Sequence, residues 1–219
     1  MSVTIVITNY LRADNVARLI DTLSKQTVEP TIFVWDNSPA GNFYHPRIDW
    51  MIHSSKNARC TARWWMASHA QTDFVIIHDD DLMPAHPRVL ARTLDAATSV
   101  APFASGAAGV VLKNSSDYWE SKHVGLRAKA IPRDTKVDIV KGCYFCCPAA
   151  RLAKIGHLDL DDEDDIAVSA KLGDRRKHPH LVIAELQTSF ELLQEGEGAR
   201  KDRPQHRAAR EIARRQFFS

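Results

Sequence analysis

Three short apolar runs in the first third of the chain each end abruptly at a group of polar residues. They are Val-Thr-Ile-Val-Ile-Thr at 3–8, Ile-Phe-Val-Trp at 32–35 and Phe-Val-Ile-Ile at 74–77. Runs of this length, rich in β-branched and aromatic residues, are typical of strands that are buried on both faces of a parallel sheet. Parallel strands need long crossover connections, so these runs predict an α/β fold.

Helical periodicity fills the intervals between the three runs. Apolar residues recur at helical spacing over 16–23, and Asp14 is the predicted N-cap of that helix. Further helices are predicted at 58–70 and 89–97. The resulting β-α-β order predicts a doubly wound arrangement, in which ligands bind at the carboxyl ends of the strands.

After residue 100 the rhythm of the sequence changes. We predict strands at 108–112, 137–140, 144–147 and 181–184, and helices at 149–155, 166–172 (ended by Gly173) and 204–218. No internal repeat or low-complexity linker divides the chain. We therefore expect a single domain over 1–219, with a nucleotide-binding half of about 1–105 and an acceptor-side half of about 106–219 that ends in a basic helix.

Composition excludes several classes of protein. The chain is 44% hydrophobic and 26% charged, which is globular rather than disordered. No apolar run approaches the roughly 18–20 residues of a membrane helix, and residues 1–8 lack the basic start of a signal peptide. We expect a soluble cytoplasmic protein, of bacterial or phage origin.

The four cysteines have the spacing Cys60, then Cys143-x-x-Cys146-Cys147. A closed zinc site usually takes two separated pairs of ligands, and Cys60 alone does not supply the second pair. We therefore interpret these residues as buried strand cysteines.

The third apolar run ends at Asp79-Asp80-Asp81. Three adjacent carboxylates repel each other, so we expect a cation to offset them. Residues i and i+2 of an extended segment project to the same side, which lets Asp79 and Asp81 reach one divalent cation or an adjacent ribose. Mg²⁺ and Mn²⁺ are bound by one or two such carboxylates together with substrate phosphates. A solvated turn that caps the next helix is the alternative, and the triplet alone leaves both open.

Five polar motifs follow one another along the chain. They are Thr8-Asn9-Tyr10-Leu11-Arg12, Asp36-Asn37-Ser38-Pro39, Asn57 with Ala62-Arg63, Asp79-Asp80-Asp81, and Asp164-Asp165 at the head of a helix. In this order they resemble the nucleotide-sugar glycosyltransferases of the GT-A fold, most nearly family 2. The resemblance covers 3–85 closely and 142–173 loosely. It implies a single-domain GT-A fold, Rossmann-like, with a mostly parallel central sheet flanked by helices.

The resemblance also implies roles for the motif residues. Donor-binding side chains would be Thr8, Asn9, Arg12, Asp36, Asn57, Arg63, Asp79 and Asp80. Asp36 would accept hydrogen bonds from the base, Asp79 would touch the ribose or the metal, and Asp81 would ligate Mn²⁺ or Mg²⁺. A UDP-sugar is the expected donor.

Residues 159–165 include six acidic residues. An inverting transfer needs a general base in line with the anomeric carbon, and a carboxylate at a helix N-terminus can serve. Asp165 is our first choice and Asp164 the second, because the register against the family segment is uncertain by one residue. Helix capping by a solvated charge cluster is the alternative.

The basic tail resembles the mobile C-terminal segment of GT-A enzymes, which can add a histidine ligand to the metal. His206 is the candidate ligand, and Arg207 and Arg210 are candidates to meet the diphosphate. An amphipathic surface helix is the alternative. Tyr118-Trp119 is a candidate acceptor contact.

The function that follows is a metal-dependent glycosyltransferase. Its acceptor would be a saccharide or glycoconjugate, or a hydroxymethylated base in phage-type DNA, which the basic tail would suit. Two other classes remain as alternatives. One is a nucleotidyltransferase of similar α/β fold, although residues 8–12 contain no glycine, and the other is a non-catalytic nucleotide-sugar-binding module.

Overall fold

The computed structural model describes residues 1–99, 103–113, 117–156, 164–172, 180–193 and 204–218. The strands in chain order are β1 (Val3–Asn9), β2 (Thr31–Asp36), β3 (Trp50–His53), β4 (Phe74–His78), β5 (Leu82–Pro84), β6 (Ser105–Gly106), β7 (Ala108–Val111), β8 (Lys122–Gly125), β9 (Thr135–Val137), β10 (Ile139–Val140), β11 (Tyr144–Pro148), β12 (His180–Val182) and β13 (Phe190–Leu192). The helices are α1 (Ala13–Leu23), α2 (Thr61–Ala67), α3 (Val89–Ser99), α4 (Ala149–Leu152), α5 (Asp164–Lys171) and α6 (Pro204–Phe218). Two 3₁₀ helices lie at Tyr118–Glu120 and Ala184–Thr188.

Eight strands form one central sheet in the order β3-β2-β1-β4-β11-β6-β12-β9. The first four of these strands are parallel to one another. β11 is antiparallel to both β4 and β6, β12 is parallel to β6, and β9 is antiparallel to β12. The predicted mostly parallel α/β sheet is confirmed, and each of its antiparallel pairings involves at least one strand from the second half of the chain. Two small sheets, β10-β7-β8 and β13-β5, complete the fold.

The two faces of the sheet pack against different helices. Ile5 and Ile7 of β1 share a buried cluster with the apolar face of α1 and with α3, whereas Val6 points into a second cluster with α2, α4 and α5. Alternate residues of a strand face opposite sides, so burial on both sides requires apolar residues at successive positions. This is why the strand sequences are almost continuously apolar.

The strand register brings the polar motifs to one edge of the sheet. Asn9 lies opposite Asp36, and Asp36 lies opposite His53. On the other side of β1, Ile7 pairs with His78, so β4 ends at the same edge just before the aspartate triplet.

Several helix and strand boundaries in the structure differ from the predicted ones. Helix α1 begins at Ala13, with Arg12 in the N-cap position, so the prediction that Asp14 is the N-cap is wrong. The backbone amide of Arg12 donates a hydrogen bond to the side-chain oxygen of Asn9, and Leu11 adopts a positive φ of 60°. The helix therefore begins directly after this turn, earlier than the apolar periodicity indicates. The strand predicted at 181–184 ends at Val182. Residues 159–163 and Gly173 lie outside the described residues.

The cysteines follow the prediction in part. Cys146 and Cys147 are buried in β11, whereas Cys60 and Cys143 precede secondary-structure elements and are half-buried. All four are free thiols. In the part of the chain that the structure describes, no helix combines the length and the apolar character that crossing a bilayer requires.

Candidate functional site

Asn9 and Asp36 form a buried pair at the ends of β1 and β2. The Asn9 amide donates to Asp36 Oδ1 (2.9 Å) and to the hydroxyl of Ser38 (3.2 Å), and the Ser38 backbone amide donates to the same carboxylate oxygen. The second oxygen of Asp36 lies 3.0 Å from His53 Nδ1. Asp36 is fully buried, so a direct contact with a base would require one of these bonds to open. His53, with 41% of its side chain exposed, is the accessible member of the group.

Thr8 and Asn57 lie on either side of this pair. The hydroxyl of Thr8 is buried and has no hydrogen-bond partner among the described residues, so it is available to a ligand. Asn57 is exposed, and its side-chain oxygen accepts a hydrogen bond from the Arg59 amide, which braces the loop before α2.

Each aspartate of the triplet is paired with a different arginine. Asp79 accepts from Arg63 (2.6 Å) and Asp80 from Arg12 (2.8 Å). Asp81 lies 3.0 Å from Arg127 and 3.8 Å from Arg12. Asp79 is the most accessible of the three carboxylates, with 32% of its side chain exposed.

These arginines do not fully stabilise the ionised carboxylates of the triplet. Burial raises the pKa of Asp80 to about 7, with the adjacent carboxylates adding to the rise and Arg12 opposing it. Burial likewise raises the pKa of Asp79, against the attraction of Arg63. In addition, Asp81 Oδ1 is buried without a hydrogen-bond partner among the described residues. A buried, unsatisfied carboxylate oxygen in a crowded acidic group is a suitable ligand for a hard divalent cation.

Arg63 joins the triplet to the N-terminus of α5. Its guanidinium bonds Asp79 on one side and Asp164 on the other, at 3.3 Å from Nε and 3.1 Å from Nη2. The indole of Trp64 also donates to Asp164 (2.6 Å). Burial opposes ionisation of Asp164, but Arg63 and the Trp64 hydrogen bond outweigh it and lower its pKa. Arg63 thus joins the triplet to an aspartate that lies 101 residues further along the chain than the arginine itself.

Asp165 is held by two donors from other elements. Its Oδ2 accepts from the Gly142 amide (3.1 Å) and from Arg210 Nη2 of α6 (3.0 Å). A Cβ atom at Gly142 would lie 2.6 Å from a guanidinium nitrogen of Arg63, so any larger residue here would displace that guanidinium from its present contacts. Arg210 also donates to the hydroxyl of Tyr118 (2.8 Å), which fixes α6 to the 3₁₀ helix beside the site.

The structure does not assemble His206 with the triplet. His206 lies on α6 with its ring 6.4 Å from that of Trp119, and no three acidic, histidine or cysteine side chains of the described residues form a metal-binding group. Its neighbour Arg207 lies over the same tryptophan ring, 5.1 Å from the centroid. Because α6 docks through Arg210, His206 is directed to this aromatic contact instead of the predicted metal position.

Sequence analysis missed Arg127, the closest cationic partner of Asp81. Arg127 has a φ of 57° in the turn after β8, which directs its side chain toward the triplet. No motif or periodicity distinguishes it from other arginines in the sequence. His53 was also missed, because its short strand β3 carries no strong β-type pattern.

His78 is a buried histidine directly before the triplet. Its Nδ1 lies 2.9 Å from the backbone carbonyl of Asp79, and its ring packs edge-on against Tyr144 and Phe190. Burial lowers its pKa from 6.5 to about 4, only partly opposed by the carbonyl and by the charge of Asp81. The histidine is therefore neutral in the folded protein at neutral pH.

We expect a His78→Phe variant to lose the part of acid sensitivity that this histidine supplies. The unfolded chain takes up a proton below about pH 6.5 while folded His78 does not, so its contribution to stability is lost as the pH falls from 6.5 toward 4. The loss should reach about 3 kcal/mol near pH 4. Urea unfolding at successive pH values measures it, with the surface variant His69→Phe as control. Parallel pH dependence of wild type and His78→Phe would contradict the prediction.

Comparison with known proteins places this site in context. The sequence profile described as glycosyl transferase family 2 matches residues 4–158. One similar solved structure is the mannosyltransferase PcManGT from Pyrobaculum calidifontis in complex with GDP-Man and Mn²⁺, with a TM-score of 0.58 and 16% identity over 83% of this chain and 56% of that one. Another is TarS of S. aureus, with a TM-score of 0.58 and 12% identity over 89% of this chain and 37% of that one.

These likenesses concern the fold, because both identities are low. The chain spans little more than half the length of the first of these structures and about a third of the second. No curated protein matches the chain in sequence.

Proposed function

Because the chain belongs to glycosyl transferase family 2, we propose that it transfers a sugar from a nucleotide-sugar donor to a hydroxyl group of an acceptor. The observation that carries this proposal is the Arg63 bridge, which links the aspartate triplet to the acidic N-terminus of α5. This bridge would hold the proposed donor site and the candidate base beside each other at the carboxyl edge of a parallel sheet, where open α/β sheets bind ligands.

The nucleotide would lie along the ends of β1, β2 and β3. The unsatisfied hydroxyl of Thr8 and the accessible ring of His53 would face the nucleotide. Asn9 and Asp36 would lie beneath them, with Asp36 bonded to the ring of His53. Arg12, Asn57 and Asp80 border the same region and complete the proposed donor contacts. We propose a UDP-sugar as donor; the GDP-Man complex of the solved mannosyltransferase makes a GDP-sugar the first alternative to test.

Mn²⁺ or Mg²⁺ is the proposed cofactor, held by Asp81 and Asp79. The unpartnered oxygen of Asp81 and the raised pKa of Asp79 both fit a cation at this position. Two carboxylates are enough, since these ions complete their coordination with substrate phosphates and water. When bound, the cation would neutralise charge on the leaving diphosphate. His206 is proposed as a further ligand only if α6 moves from its contact with Trp119.

Asp165 is the proposed general base of an inverting transfer, and Asp164 is the second candidate. The Gly142 amide and Arg210 orient the Asp165 carboxylate, which would take the proton from the attacking hydroxyl. Asp164 is committed to Arg63 and Trp64, so it serves better to position the guanidinium. For this reason we retain Asp165 as first choice.

A screen for donor turnover tests the proposal. We expect nucleoside diphosphate to be released from one member of a panel of UDP- and GDP-sugars, with Mn²⁺ or Mg²⁺ raising the rate and EDTA abolishing the increase. Release of pyrophosphate from a nucleoside triphosphate and a sugar phosphate would instead show a nucleotidyltransferase. Binding of a nucleotide sugar without turnover, with or without metal, would show a binding module.

The acceptor would be a saccharide, a glycoconjugate or a hydroxymethylated base in DNA. Trp119 is exposed beside α6, next to the buried Tyr118 that anchors Arg210, and would be an acceptor contact. Exposed aromatic rings suit stacking against sugars and bases alike, so this contact does not distinguish between these acceptors.

A further inference from the structure

A cleft of about 640 Å³ lies on the acceptor-side half of the fold. Its walls come from Val111 of β7, Lys122 of β8 and residues 129–136, which lead into β9. A cleft of this size accommodates a ligand of a few sugar or phosphate units. We call it the basic cleft because Lys122, Lys129, Arg133 and Lys136 line it.

The four cationic side chains of the basic cleft form no ion pairs with the described residues. One carboxylate, Asp134, also lines the cleft, so the formal charge of the cleft is +3 (four minus one). That carboxylate already accepts a hydrogen bond from the Ala184 amide (2.8 Å). All four cationic residues are exposed, and none forms a salt bridge with a carboxylate of the described residues.

In the proposed donor site, formed by the aspartate triplet and the N-terminus of α5, the cationic side chains do have ion-pair partners. There Arg12, Arg63, Arg127 and Arg210 are each paired with an aspartate of the triplet or of α5. Positive charge in the proposed donor site is thus matched by carboxylates, whereas no carboxylate in the described part of the chain forms an ion pair with the cations of the basic cleft. Such a surface attracts anions and steers them toward the adjacent site.

One turn connects the basic cleft to the donor site. The amide of Gly125 donates to the carbonyl of Lys129 (2.9 Å), which closes a tight turn around Arg127. Arg127 extends to Asp81, while Lys129, two residues later, lines the cleft. Two residues of chain span at most about 7 Å between their Cα atoms, so the backbone at the edge of the cleft is that close to the residue whose side chain reaches the triplet.

We propose that the basic cleft binds the acceptor and that this acceptor is a single flexible chain carrying repeated phosphate groups. This inference rests on the proposed function and narrows its acceptor class to a glycoconjugate chain that carries phosphate groups as well as the hydroxyl group that receives the sugar. Lysine and arginine side chains without partners bind phosphate oxygens well. No aromatic side chain lines the cleft, so it lacks the stacking platforms that single-stranded nucleic acids use. A duplex is much wider than a cleft of this volume.

Linear inorganic polyphosphate is the probe, used in the absence of donor so that binding is measured independently of turnover. The wild-type protein should bind it with an affinity that falls about 50-fold between about 50 and 200 mM salt, as four contacts at a slope of about 0.7 each require. The double variant Lys129→Glu/Arg133→Glu should bind on the order of tenfold more weakly, with a slope smaller by about 1.4.

The matched control is Arg18→Glu/Lys25→Glu, which makes the same charge change at two exposed positions on and just after α1. It should bind polyphosphate as the wild type does. The proposal is overturned if polyphosphate does not bind, if the cleft and control variants weaken binding equally, or if duplex DNA binds more tightly than polyphosphate through the same cleft residues. Each of these results leaves the donor screen unaffected, so failure of this inference is distinguishable from failure of the proposed function.

Discussion

An Asp81→Asn variant is expected to lose most of its donor turnover, with kcat falling by about 10²- to 10³-fold. A cation on this carboxylate would stabilise the leaving diphosphate by several kcal/mol, and each 1.4 kcal/mol or so corresponds to a tenfold change in rate. Asparagine retains the size of the side chain but loses the charge that meets Arg127 at 3.0 Å and the unpartnered carboxylate oxygen beside it. Turnover is measured as a function of Mn²⁺ concentration.

Asp80→Asn is the matched control for this variant. Asp80 faces Arg12, and its pKa is already raised to about 7 by burial, so removing its charge changes the site less. We expect a smaller decrease in kcat and little change in the Mn²⁺ concentration at half-maximal rate. If Asp81→Asn kept both the wild-type rate and the wild-type metal dependence, the assignment of Asp81 as metal ligand would be wrong.

An Asp165→Asn variant is expected to lower the rate of transfer by about 10²- to 10⁴-fold, the usual contribution of a general base. An amide still accepts the Gly142 hydrogen bond but cannot take a proton from the acceptor hydroxyl. The variant also removes the carboxylate that pairs with the buried guanidinium of Arg210, so urea unfolding is measured alongside to separate a loss of stability from a loss of rate. KM for the donor should change little, because no donor contact is assigned to this residue. Single-turnover transfer with saturating donor measures the step directly.

Asp164→Asn discriminates between the two candidate bases. Asp164 accepts hydrogen bonds from Arg63 and Trp64 in the interior, and Arg63 keeps Asp79 as a second charged partner, so replacing Asp164 should destabilise the fold by about 1–3 kcal/mol. Its effect should therefore appear mainly in urea unfolding and in KM for the donor. A large loss of transfer rate in Asp164→Asn together with near-normal transfer in Asp165→Asn would move the base to Asp164.

The α/β fold and the meeting of the polar motifs at one sheet edge were predictable because both depend on local patterns. Strands β1 and β4 are buried on both faces, and β2 is buried on one face and partly buried on the other, so all three appear in the sequence as unbroken apolar runs. Parallel strands end at a common edge, so the polar residues after each run were expected to meet there, as Asn9 and Asp36 do. The strands of the second half are two to five residues long, too short for a clear periodicity, and their boundaries were correspondingly less predictable.

The sequence by itself determined which carboxylates lie at this edge, whereas the tertiary structure alone decided which cations face them. Arg63 meets Asp164 across 101 residues, and Arg210 meets Asp165 across 45. Arg127 reaches Asp81 only because its turn adopts a positive φ. Strand propensity and edge position follow from neighbouring residues, but an ion pair depends on where distant elements pack, and a long arginine side chain offers many partners until that packing is complete.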